Sequence, residues 1–144
     1  MNDFNKVYAV IDTNVLVSAL LTSTSSSNPF IILNAIYNKS IIPVFTDTIL
    51  SEYKEVLMRP KFHLSLKQVD LVLNFIISNG ISKVPVQADN PIDFPDPKDI
   101  VFYEVRMAMD DSYLVTGNKK HFPTKPFVVT PTEMVEILRD KGLI

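Results

Sequence analysis

The apolar positions of this chain fall into short unbroken runs that alternate with stretches at helical spacing. Val7 to Ile11 reads Val-Tyr-Ala-Val-Ile without polar interruption. A strand with one wet face would alternate, so this run predicts a strand covered on both faces. A helix is expected from about Asn14 to Leu21, and the polar patch from Thr22 to Asn28 must be a loop. Pro29 starts a second helix carrying Phe30, Ile31, Leu33, Ala35 and Ile36, and Ile41 to Phe45 is a second strand. Thr46 or Asp47 can cap a third helix, in which Ile49, Tyr53, Val56 and Leu57 keep helical spacing until Pro60 stops it. Leu66 to Ile77 predicts a further helix, closed by Gly80.

The second half is more heavily punctuated. Ser82 to Val86 is an expected strand, and Gln87 to Pro97 is turn-rich, with Pro91, Pro95 and Pro97. A helix from about Pro97 to Met109 comes next, followed by a strand-like Tyr113 to Thr116, a loop from Gly117 to Lys125 and a last strand, Phe127 to Val129. Thr130 as cap, Pro131 at the first helical position and Glu133 two residues further on mark the start of a final helix. There is no repeat and no domain-sized linker. Strands alternating with helices predict an α/β fold, a three-layer α/β/α sandwich with a mostly parallel central sheet, as one domain over residues 1–144.

Composition then narrows the chemistry. The absence of cysteine excludes disulfides, thiolate nucleophiles and Cys-ligated metal sites. Gly80, Gly117 and Gly142 are too dispersed for a phosphate-cradling loop, and two histidines, His63 and His121, cannot build a His-rich metal site. Carboxylates, hydroxyls and amides remain. The balance of 14 basic against 16 acidic residues gives a net charge of −2, not the excess of a protein that coats nucleic acid nonspecifically. Two local basic clusters occur, Lys54, Arg59, Lys61 and His63, and Lys119, Lys120, His121 and Lys125; each reads first as solvated surface. The N-terminal Met-Asn-Asp-Phe-Asn-Lys precedes only a short apolar run, which is neither a signal peptide nor a membrane span, so a soluble, cytoplasmic setting is expected.

In parallel sheets functional groups gather beyond the carboxyl ends of the strands. Two strand ends here resemble each other, Ile11-Asp12-Thr13-Asn14 and Val115-Thr116-Gly117-Asn118. Asp12 can cap the helix that follows it or hold an ion. Glu52 falls at the margin of its helix's apolar stripe, where a carboxylate needs a basic partner or a shared cation. Asp96, Pro97 and Asp99 make a good helix start, and a helix start also holds carboxylates rigidly enough for a hard divalent ion.

Taken together, Asp12-Thr13-Asn14, the Glu52 of Ser51-Glu52-Tyr53, Asp96-x-x-Asp99 and Tyr113-Leu114-Val115-Thr116-Gly117-Asn118 resemble the PIN domain in order and spacing along nearly the whole chain. The likeness is greatest to its bacterial, VapC-like toxin components of toxin–antitoxin systems. The resemblance implies a ribonuclease dependent on Mg²⁺ or Mn²⁺, with Asp12, Glu52 and Asp99 as metal ligands and Asp96 as a possible additional one. Thr116 and Thr13 match hydroxyls that position water or a ligand carboxylate. The family often has a fourth aspartate after the Thr-Gly pair, and this chain has Asn118, an amide without negative charge that could orient substrate or water. Thr13, Asn14, Lys119 and Lys120 are the expected substrate contacts. The resemblance also implies a homodimer and a cognate antitoxin; the helices Phe30 to Ile36 and Leu66 to Ile77 are candidate pairing surfaces that also read as core.

Two other uses of a strand-end aspartate fit less well. Haloacid-dehalogenase-like phosphatases need Asp-x-Asp, and Asn14 stands at the second position; the acids and late lysine of receiver domains are not evident. The alternative from another class is a PIN-like fold serving as an RNA- or protein-binding module with a weakened site, which Asn118 keeps open.

Overall fold

The computed structural model describes residues 6–144; residues 1–5 of the N-terminal segment read above for targeting lie outside them. The elements run β1 (Val7–Ile11), α1 (Thr13–Leu21), α2 (Asn28–Tyr37), β2 (Ile41–Phe45), α3 (Asp47–Leu57), α4 (Leu66–Asn79), β3 (Ile81–Ser82), α5 (Ile100–Met107), β4 (Tyr113–Val115), β5 (Val128–Val129) and α6 (Pro131–Asp140). The five strands form one sheet in the order β3-β2-β1-β4-β5, and every pairing is parallel. On β1, Ala9, Val10 and Ile11 are buried in succession, and on β2, Val44 and Phe45 follow suit. Consecutive residues point to opposite faces, so both faces are covered by helices. This is the expected α/β sandwich, with a sheet parallel throughout.

Chain order reverses at the middle of this sheet: from β1 the chain goes one way to β2 and β3, and the other side is filled later by β4 and β5. The crevice beyond the carboxyl ends of β1 and β4 is therefore the place where a doubly wound sheet opens. Among the described residues no helix is long and apolar enough to cross a membrane.

Four expectations change in detail. The helix foreseen from Pro97 to Met109 divides into a 3-10 turn, Pro97–Asp99, and then α5. Asp96 tightens that turn by accepting from Lys98 N–H at 2.9 Å, and its carbonyl accepts from Asp99 N–H at 3.0 Å. The strand foreseen from Ser82 to Val86 is only Ile81–Ser82, since Pro85 offers no N–H to a ladder and Val84 is 83% exposed. Thr46 takes the cap position of α3 without a side-chain bond, and Asp47 contributes instead as an acid in the first turn. Gly80 does end α4, but with an extended backbone, φ −110°, not a left-handed one. Its role is spatial: a Cβ there would lie 2.5 Å from the Pro43 carbonyl oxygen. The final helix has the expected capping box between Thr130 and Glu133. Of the helices named as pairing surfaces, α2 buries Ile32, Leu33, Ala35 and Ile36, and α4 buries Val69, Val72, Leu73 and Ile76 while leaving Leu66, Leu71 and Ile77 exposed.

Candidate active site

The β1–β4 ladder runs one residue beyond β1, where Asp12 N–H donates to the Val115 carbonyl at 2.9 Å. The Asp12 side chain is thereby fixed at the switch point, 5% exposed. Its Oδ1 accepts from Thr13 N–H at 2.8 Å, the helix-cap role, while Oδ2 accepts from the Thr116 hydroxyl at 2.7 Å. Thr116, fully buried at the end of β4, in turn accepts from Asn118 N–H at 3.0 Å, which settles the direction of its own proton. Burial nevertheless raises the Asp12 pKa, against the pull of these donors and of His121.

The second acid is set by α3. Tyr53 is buried and its hydroxyl donates to the Ile11 carbonyl, tying α3 to the last residue of β1. Glu52, its neighbour, is thereby brought to Thr13, whose hydroxyl donates to Oε2. Burial raises the Glu52 pKa, the Thr13 bond pulls it down, and the Asp12 charge pushes it up again. Thr13 and Thr116 thus each donate a hydrogen bond to a carboxylate, and both are buried.

Asp96 and Asp99 enter from the 3-10 turn ahead of α5. Burial first, then the Asp12 and Asp96 charges, push the Asp99 pKa up to about 6. Its Oδ2 is buried and accepts no hydrogen bond. The ring nitrogen Nδ1 of His121 lies 3.1 Å from that oxygen, an ion-pair distance, but without hydrogen-bond alignment. His121 closes a second 3-10 turn, Lys119–His121, and its Nε2 is 2.9 Å from Asn118 Nδ2.

These side chains surround one cleft of about 650 Å³. Asp12, Thr13, Asn14, Glu52, Asp96 and Asp99 line it, together with Arg59, Phe62, Lys98 and His121. Four of the expected residues do not form its wall: Thr116 lies behind Asp12, Asn118 turns to His121, Lys119 pairs with Glu133 of α6 at 3.2 Å, and Lys120 is exposed elsewhere. Lys98 and His121 are cleft residues that the pattern of the chain did not single out as such. The available signal was the three-residue step from Asn118 to His121, one turn of a 3-10 helix. A larger cavity, about 840 Å³, opens at the amino ends of β1 and β4 beside Val7, Ser112 and Tyr113; its acids, Asp110 and Asp111, are exposed. It lacks the buried, mutually repelling carboxylates that mark the smaller cleft.

The cleft suits a hard divalent cation. Several carboxylates raise one another's proton affinity there, and one buried oxygen has no donor, so a bound positive charge would relieve both conditions. Among the described residues no three His, Asp or Glu side chains stand together closely enough to hold a metal ion as they are placed. A family model, the PIN domain, matches residues 8–120, from β1 through Lys120. No curated protein and no solved structure matches the chain.

Proposed function

The chain belongs to the PIN domain family, whose members are in general metal-using nucleases, and from that premise we propose that it is a Mg²⁺- or Mn²⁺-dependent endoribonuclease acting in the cytoplasm. The observation that supports this most is the gathering of Asp12, Glu52, Asp96 and Asp99 around one cleft at the switch point, with a buried Asp99 oxygen lacking a donor. Asp12, Glu52 and Asp99 would hold the ion, with Asp96 beside them. The ion supplies Lewis-acid stabilisation of charge on the phosphate and a lowered pKa for attacking water.

The protein's own part is positioning. Thr116 and Thr13 hold Asp12 and Glu52 in fixed rotamers through hydrogen bonds, so these acids need no rearrangement to act. Lys98 and Arg59 place positive charge on the wall of an acidic cleft, where a phosphodiester must approach. Arg59 also pairs with the cleft residue Glu55 at 3.1 Å, leaving Lys98 as the more available of the two. A role as the toxin of a toxin–antitoxin pair, with a homodimer and a cognate antitoxin, belongs to the same proposal.

The test is cleavage of a single-stranded RNA with and without Mg²⁺, using Asp12→Asn as the control. Cleavage should require the ion and fall at least about a hundredfold in the variant. Activity that survives EDTA or Asp12→Asn overturns the mechanism. A second reading, a PIN-fold RNA- or protein-binding module, is favoured by Asn118, which puts no charge in the cleft; RNA binding without cleavage in either ion selects it.

A further inference from the structure

The amide at position 118 removes one negative charge from the site the family resemblance describes, and its side chain faces His121 in place of the cleft. His121 is thereby held by its far nitrogen, Nε2, while Nδ1 lies on the cleft side, 3.1 Å from the Asp99 oxygen that has no hydrogen-bond donor. An N–H aimed at Oδ2 would have made a hydrogen bond there, and the alignment is missing. Two donor atoms side by side at that separation match neighbouring corners of an octahedron: with bonds of about 2.1 Å at right angles, adjacent ligands stand about 3.0 Å apart.

Tautomer follows from the partner on the other side of the ring. An amide presents either its oxygen or its nitrogen after a half-turn. As placed, Asn118 Nδ2 faces Nε2 at 2.9 Å; the half-turn that brings Oδ1 there keeps the same shape, puts the proton on Nε2 and frees the Nδ1 lone pair. Metal-binding histidines are commonly oriented through their second nitrogen in this way.

We propose that His121 is a ligand of the divalent ion beside Asp99, supplied in place of a fourth carboxylate, and that Asn118 is the positioning residue that sets its tautomer. The inference rests on the metal-dependent reading given above and adds to it a preference among ions. Imidazole is a poor partner for Mg²⁺ and a good one for zinc and the later first-row metals. The site therefore gains affinity for nitrogen-accepting ions while losing one charge that would have favoured Mg²⁺.

Only two histidines occur, so ¹⁵N-histidine NMR is readily assigned with His63→Ala. Titration of the whole protein with Zn²⁺ should move the His121 Nδ1 resonance at one equivalent and leave His63 unchanged. Calorimetry with Zn²⁺ and with Mg²⁺, in the absence of RNA, should show His121→Gln losing at least about tenfold in Zn²⁺ affinity while Mg²⁺ changes less than about threefold. Asn118→Leu should follow in the same direction, about tenfold or less. A wild-type protein that binds both ions with an unmoved His121 resonance, or an unchanged Zn²⁺ to Mg²⁺ ratio in His121→Gln, overturns this proposal and leaves the nuclease reading standing. A wild type that binds neither ion overturns both.

Discussion

At the scale of single residues, Asp99 carries the clearest conflict between burial and charge. Burial and the neighbouring Asp12 and Asp96 charges push its pKa up to about 6, from 3.8 for the free side chain. Between those two values the folded protein binds more protons than the unfolded chain, so this group's contribution to stability falls as pH rises through that window and stays low above it. Burial raises Asp12 and Glu52 as well, with the same sign. An ion that binds only the charged carboxylates acts in the opposite sense. We expect Mg²⁺ or Mn²⁺ to raise the melting temperature little near about pH 5 and fully near about pH 7.5, and Asp99→Asn to remove most of that dependence. Scanning calorimetry across pH decides it; a pH-independent gain removes Asp99 from the ion's surroundings. The acids were legible in the chain because each stands where an element starts or ends, or where a helix's apolar stripe meets its polar face. His121 was not, because the composition argument excludes a site made of histidines and says nothing of one imidazole joining carboxylates.

At the scale of elements, Gly80 shows how a boundary can be legible while its cause is not. The sequence marks the end of α4 by a residue without a Cβ, yet only packing reveals that β2 lies against that spot. A Cβ at Gly80 would meet the Pro43 and Ile76 carbonyl oxygens at 2.5 and 2.7 Å, backbone atoms that cannot swing aside. Gly80→Ala should therefore cost about 1–3 kcal/mol, the usual range for overpacking. Gly117→Ala, with nothing within 4 Å of its added carbon, should change stability by less than about 0.5 kcal/mol. Urea titration of the two variants gives the comparison, and equal costs would refute the steric account. Elsewhere local rules sufficed where a local interaction decides, as at the Thr130–Glu133 capping box. They failed where a neighbour decides. The run ahead of Val86 is apolar enough for a strand, but it sits at the sheet's edge with Pro85 interrupting its donors.

For the molecule as a whole, the net charge of −2 hides an uneven distribution. Lys98 and Arg59 line the acid cleft, whereas Lys119 is engaged by Glu133 on α6. Affinity for RNA, measured by anisotropy with the Asp12→Asn protein so that the strand stays intact, should fall as salt rises. Lys98→Ala should flatten that slope by about one phosphate contact, and Lys119→Ala should leave it unchanged. A slope that responds to Lys119 and ignores Lys98 would move the RNA path from the cleft to the α6 side. The lysines nearest Asn118 in sequence suggested themselves as phosphate contacts because adjacency in the chain is visible before folding and ion pairing is not.

The bond between Asp12 and Thr116 joins residues 104 positions apart. It has a consequence for the order in which the site is completed as the chain is made. A growing chain has Asp12 and Glu52 early, but Asp99, Thr116 and His121 emerge only later, and β4, which Thr116 follows, must insert beside β1 before Asp12 is held. On the nuclease reading proposed above, the site stays incomplete until the chain has been made through His121. Termination upstream of Tyr113 yields a fragment that lacks that strand and, with it, the Thr116 hydroxyl that holds Asp12.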